Sequence, residues 1–151
     1  MSAIYVDADA CPVKDETYRL AARHGLKVWV VANQSMRTPR EGDVELVVVP
    51  GGFDAADDWI AERAGAGDIV ISQDIPLAAR CLERGAVVLR PNGSRFTEDN
   101  IGDALASREL LSQLRDMGTI GGGPPPFGKK DRSAFLQALD RVIHGIRKAS
   151  A

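Results

Sequence analysis

Cysteine is scarce in this sequence: Cys11 and Cys81 are the only two thiols in 151 residues. Two thiols without metal-type spacing argue against a disulfide scaffold and fit a reducing compartment. Histidine is equally sparse, with His24 and His144 alone, and no cluster of His and Cys suggests a zinc centre. Each precedes a glycine and is read as a cation near a helix end, suited to the helix dipole. Aromatics make up 5% of the chain, too few for a platform on which bases could stack. Trp29 and Trp59 are accordingly read as core. No apolar run approaches the ~18 residues of a membrane span, and the start lacks the layout of a signal peptide. The expectation is therefore a cytoplasmic protein.

What is present is a globular composition, 44% hydrophobic and 26% charged. The net charge of −2 is unevenly spread: residues 1–100 carry 11 Lys/Arg against 16 Asp/Glu, and residues 101–151 carry 8 against 5. An acidic body with a basic tail suits a site that holds divalent metal beside an arm that holds phosphate, although solvated surface charge has the same appearance.

Short β-type runs alternate with helical stretches along the first 95 residues. Ala3–Val6, Lys27–Ala32, Val44–Val49, Asp68–Ser72 and Ala86–Leu89 read as five strands. Helices are expected from Pro12 to His24, Asp54 to Ala64 and Ile75 to Arg84, with Gly25 and Gly85 as stops. The alternation implies βαβ crossovers, a mainly parallel sheet and a three-layer α/β/α fold. After the turn Arg90-Pro-Asn-Gly93, Thr97 caps a helix reaching towards Leu114, and a last helix runs from about Arg132 to Lys148. The whole chain reads as one domain, an α/β core over 1–95 and a helical appendage over 96–151, with a Gly/Pro hinge at 118–128.

Open parallel sheets bind ligands beyond the carboxyl ends of their strands. Asp7 and Asp9 follow the first strand, Asp74 follows the fourth, and Asp54, Asp57 and Asp58 open the helix after the third. Carboxylates gathered on one edge raise one another's pKa unless a cation offsets them, and Mg²⁺ or Mn²⁺ is the hard ion that oxygen ligands favour. Each acid also has a plainer use. Asp54 and Asp74 are placed to cap helices, Asp57 suits a helix dipole, and Asp58 could face solvent. Asp7 and Asp9 are the hardest to explain in that way, since neither is needed to end a strand.

Three motifs, Asp7-Ala-Asp-Ala-Cys-Pro-Val-Lys14, Gly52-Phe-Asp-Ala-Ala-Asp-Asp-Trp-Ile60 and Ser72-Gln-Asp-Ile-Pro-Leu-Ala78, resemble the YaiI/YqxD family of bacterial proteins. Gly123-Pro-Pro-Pro-Phe127 with Lys130-Asp131-Arg132 is similar to that family's C-terminal signature. The family is in turn similar to PIN-like nucleases, which place acids after strand one, on a middle helix and after strand four. The resemblance implies a PIN-like fold and a metal-dependent nuclease acting on RNA. By it Asp7 matches the first acid, Asp54 or Asp58 the middle ones and Asp74 the later one. With Asp9 added from its place after strand one, the catalytic candidates are Asp7, Asp9, Asp58 and Asp74, and the expected ligands of Mg²⁺ or Mn²⁺ are Asp7, Asp9, Asp54, Asp58 and Asp74. The Asp-x-Asp at strand one and the basic Gly/Pro-rich tail depart from the usual PIN pattern.

Lys14, a turn past the first acids, Arg90 and Arg95 around the turn after strand five, and Lys129, Lys130 and Arg132 at the start of the last helix are candidates for gripping a nucleic-acid backbone. Cations at a helix N-terminus oppose the dipole, which favours an anionic visitor there. Cys11 lies among carboxylates that raise its pKa, and is a poor nucleophile. Two rival readings remain. One is a haloacid-dehalogenase-like phosphatase built on Asp7-Ala-Asp9, for which no downstream Lys and acid pair is evident. The other is a domain that binds RNA or protein without catalysis.

Overall fold

Apolar runs rich in Val and Ile can lie in the middle of a sheet only if helices cover both faces. That is the arrangement here. The computed structural model describes residues 2–40, 42–51, 54–116 and 127–150. Strands β1 (Ala3–Asp7), β2 (Lys27–Ala32), β3 (Val44–Val48), β4 (Ile69–Ile71), β5 (Val87–Leu89) and β6 (Arg95–Phe96) form one sheet in the order β3-β2-β1-β4-β5-β6. The first five are parallel, and β6 pairs antiparallel with β5.

Alternation along each strand divides the core in two. Ile4, Val6, Val28, Val30, Ile69 and Ile71 face helix α1 (Lys14–His24) and helix α5 (Lys129–Ser150), which contributes Phe135, Leu139 and Ile143. On the opposite face Tyr5, Val31, Val70, Val88 and Phe96 meet α2 (Ala55–Arg63) and α3 (Ile75–Glu83). Ile101 and Ala104 of α4 (Glu98–Asp116) pack against that same cluster, as do Trp29 and Trp59. The expected three-layer α/β/α class is the one found. No described helix is long and apolar enough to cross a membrane.

Helix ends follow local chemistry. Gly25 closes α1 with φ 68°. Thr97 caps α4 as expected, reciprocally with Asn100: the Asn100 amide donates to Thr97 Oγ1 and the Thr97 amide to Asn100 Oδ1. Three differences from the sequence reading stand out. A 3₁₀ turn at Ala8–Ala10 intervenes before α1, so that helix begins at Lys14 and not at Pro12. β6 was not expected, because two residues carry no periodic signal. α5 extends to Ser150, which leaves His144 well inside it rather than at its end. The helical C-terminal part is present as α4 and α5, with α5 forming a layer of the core. The Gly/Pro hinge at 118–128 lies, but for Phe127 and Gly128, outside the described residues.

Candidate functional site

Because β1, β2, β3, β4 and β5 run the same way, every loop after a strand emerges on one edge, and chemistry-bearing residues gather there. Asp7 is the last residue of β1, in register with Val31 of β2. The preceding pair, Val6 with Ile71, sets Ser72 beside it across the β1–β4 seam. Ser72, 3% exposed, donates its hydroxyl to Asp7 Oδ2 at 2.9 Å, while Ser72 Oγ accepts the Asp74 amide at 2.9 Å. Asp74 Oδ1 in turn accepts from the Leu77 amide at 2.9 Å, capping α3 with Pro76 in its first turn. Ser72 thus has its proton and a lone pair both committed, which fixes the rotamer of Asp7 and the start of α3 together.

Burial pushes the Asp7 carboxyl above the ordinary range, and the nearby charges of Asp74 and Asp9 add to it against the Ser72 hydrogen bond. Asp57, in the first turn of α2, is pushed further, to about 7. Burial is the largest cause, followed by Asp74, Asp7, Asp54 and Asp58. Asp57 was placed among the six acids of this edge but not among the catalytic candidates. Its position was legible: it lies four residues before Ala61, on the face that α2 turns to the sheet.

The remaining acids sit differently. Asp9 is exposed in the 3₁₀ turn, with both oxygens 3.4 Å from the Asn33 amide, at the long limit of a hydrogen bond. Asp54 occupies the N-cap position of α2 and makes no side-chain cap bond. Asp58 is exposed and ion-paired to Arg80 of α3 at 2.7 Å. The edge therefore brings Asp7, Asp57 and Asp74 into mutual electrostatic reach, with Asp9 and Asp54 beside them, and engages Asp58 elsewhere. Among the described residues these acids do not bring three ligand oxygens within 4.8 Å of one another.

The cations divide likewise. Lys14 Nζ donates to the carbonyls of Ala8 and Cys11 at 3.0 and 2.8 Å, tying down the turn after β1. Arg132 donates to the Pro12 carbonyl at 2.7 Å and pairs at 3.1 Å with Glu16, whose side chain is 7% exposed. Both hold the β1–α1 loop in place. Arg90 stacks over the Phe96 ring at 3.9 Å, and its burial lowers its pKa. Arg95, Lys129 and Lys130 are exposed. Cys11 is buried, and burial more than any carboxylate raises its pKa, a different cause from the one the sequence suggested.

A family model described as "Uncharacterized BCR, YaiI/YqxD family" matches residues 5–145. The chain is 59% identical to a UPF0178 protein of Rhodospirillum centenum, with 98% of this chain and 99% of that one aligned. It is 57% identical to a UPF0178 protein of Rhodopseudomonas palustris (97% and 95% aligned) and 55% identical to one of Paramagnetospirillum magneticum (98% and 98%). No solved structure matches it.

Proposed function

This chain belongs to the YaiI/YqxD family, and we propose that it is a divalent-metal-assisted hydrolase of phosphodiester bonds, with RNA as its substrate class. One observation supports this above the others. Asp57 is pushed to about 7 and Asp7 is raised where burial and neighbouring carboxylates act together, at the edge where a parallel sheet binds ligands. Perturbed acids clustered in such a place are the mark of a site that holds a cation or moves a proton.

Asp7, Asp57 and Asp74 are the residues to hold Mg²⁺ or Mn²⁺, with Asp9 and Asp54 adjacent; Asp57 takes the place that the family pattern gives to Asp58. A hard ion that keeps several of its waters suits carboxylates that stand apart rather than closing into a tight cage. Such an ion supplies Lewis acidity towards a phosphate oxygen and lowers the pKa of a bound water. The chain itself supplies orientation and charge. Ser72 holds Asp7 in one rotamer, and Asp57, pushed to about 7 by burial and by the acids around it, is relieved of that repulsion when a cation binds. Arg95, Lys129 and Lys130, all exposed, offer charge to the nucleic-acid backbone without reading its sequence.

The test is cleavage of labelled single-stranded RNA in Mn²⁺ by the wild type, Asp7→Asn and Asp57→Asn. Cleavage that falls at least about 100-fold in both variants is the expected result. Wild-type protein that retains RNA on a filter without cutting it in Mn²⁺ would overturn the hydrolase and leave a binding domain.

A further inference from the structure

His24 and His144 are distant in sequence from one another and from any cysteine, so no ligand spacing is visible in the chain. The fold removes that distance. His24 is the last residue of α1, at the edge of the sheet opposite to Asp7. Asp140 and His144 lie one turn apart on α5, on a single face of the helix. His24 Nε2 is 3.1 Å from Asp140 Oδ1, His144 Nε2 is 3.4 Å from Asp140 Oδ2, and the two imidazoles meet edge to face with centroids 5.3 Å apart. One ligand atom from each residue falls within 4.8 Å of the other two, and among the described residues this is the one trio of His, Cys, Asp or Glu to do so.

Three features make this a built arrangement rather than a surface encounter. Leu139 and Ile143, the residues preceding two of the ligands, are 0% and 1% exposed, so α5 is fixed against the core at this point. Arg147 donates to the backbone carbonyl of His24, fastening the end of α1 to the next turn of α5. The side chain of His24 is only 11% exposed, while those of Asp140 and His144 are 42% and 66% exposed, so the trio is anchored on one side and open on the other.

We propose that His24, Asp140 and His144 form a binding site for a borderline transition-metal ion, with Zn²⁺ as its representative. Two imidazole nitrogens and a carboxylate oxygen suit Zn²⁺, Cu²⁺ or Ni²⁺ and are poorly matched to Mg²⁺ or Ca²⁺. Tetrahedral Zn–N and Zn–O bonds of about 2.0–2.2 Å set neighbouring ligand atoms about 3.3 Å apart, close to the 3.1 and 3.4 Å at which the two histidine nitrogens meet the two oxygens of Asp140. Three protein ligands leave the solvent side for water or an external donor. The ion clasps the end of α1 to α5, and does so independently of the acids on the far edge.

The experiment is calorimetric titration of Zn²⁺ into the full chain with excess Mg²⁺ present, beside His144→Ala, Asp140→Asn and Asp7→Asn/Asp74→Asn. Single-site binding by the wild type is expected, at least about 100-fold weaker in His144→Ala and Asp140→Asn and unchanged in the far-edge double variant. His144 is exposed, so its replacement leaves the fold intact, and the circular dichroism spectrum verifies this. Replacing Zn²⁺ by Co²⁺ adds a visible ligand-field band that His144→Ala abolishes. Absence of Zn²⁺ binding in the wild type would overturn the site and reduce the trio to two histidines that share Asp140. Binding that survives His144→Ala unchanged would overturn it too.

Discussion

At the scale of the residue, position relative to the sheet matters more than residue type. Asp57 and Asp58 are chemically identical neighbours, yet one faces charged companions over the strand ends and the other reaches Arg80. The difference has a consequence for stability. The Asp57 carboxyl titrates at about 7 in the folded chain against 3.8 for the ordinary group. Between those values the folded state holds a proton that the unfolded state has lost, so metal-free stability falls as pH rises through that window. Asp57→Asn removes the effect. Its melting temperature should exceed that of the wild type at about pH 8, by the equivalent of roughly 1–2 kcal/mol after discounting for water at a half-buried carboxyl, and the gap should narrow towards about pH 5. Thermal melts in chelator check this, and a gap that widens on acidification would contradict it. The acids of the edge were visible in the sequence because each follows a strand or opens a helix. Which of them turns inward follows from the helix period, since Asp57 lies four residues before the buried Ala61 and Asp58 does not. Ser72 was missed because a hydroxyl at a strand end has no signature until its neighbour is known. Lys14 and Arg132 were readable as cations, but their internal carbonyl partners follow from the path of the β1–α1 loop.

Elements were the most legible level. The bounds of β2 are the expected ones, and the strand-to-helix alternation gave the layers. What escaped was short or set by contact. β6 exists because the turn Arg90–Ser94 folds it back: the Arg90 amide donates to the Ser94 carbonyl at 2.8 Å and the Gly93 amide to the Arg90 carbonyl at 3.0 Å. Gly93 has φ 90°, and a Cβ there would lie 2.7 Å from the backbone carbonyl of Ala134 on α5. Both the conformation and the close approach exclude a side chain. Gly93→Ala should destabilise by about 2–4 kcal/mol, the sum of left-handed strain and overpacking against backbone that cannot yield. Chemical denaturation measures it, and a loss below about 1 kcal/mol would show that the turn and α5 separate easily.

For the whole molecule, the two faces of the sheet serve different ends. The face under α2 and α3 positions the acids, and the face under α1 and α5 closes the core from the C-terminal side. Phe135, fully buried, is the largest residue α5 contributes there. Phe135→Ala should cost about 3–5 kcal/mol and lower the melting temperature by roughly 10 °C or more, as scanning calorimetry would record; a shift of a degree or two would mean that α5 is dispensable to the core. The parallel topology joins this architecture to the proposed chemistry, because it sends the carboxyl ends of β1 to β5 to one edge. That edge holding a divalent ion is the point on which the function turns. The decisive measurement is calorimetric titration of Mn²⁺ into the metal-free protein at about pH 8, where Asp57 is ionised, beside Asp7→Asn/Asp74→Asn, which leaves His24, Asp140 and His144 intact. Binding in the wild type that disappears in the double variant is the predicted result. Equal binding in both, or none in either, would contradict a metal site at the carboxyl edge and with it the hydrolase.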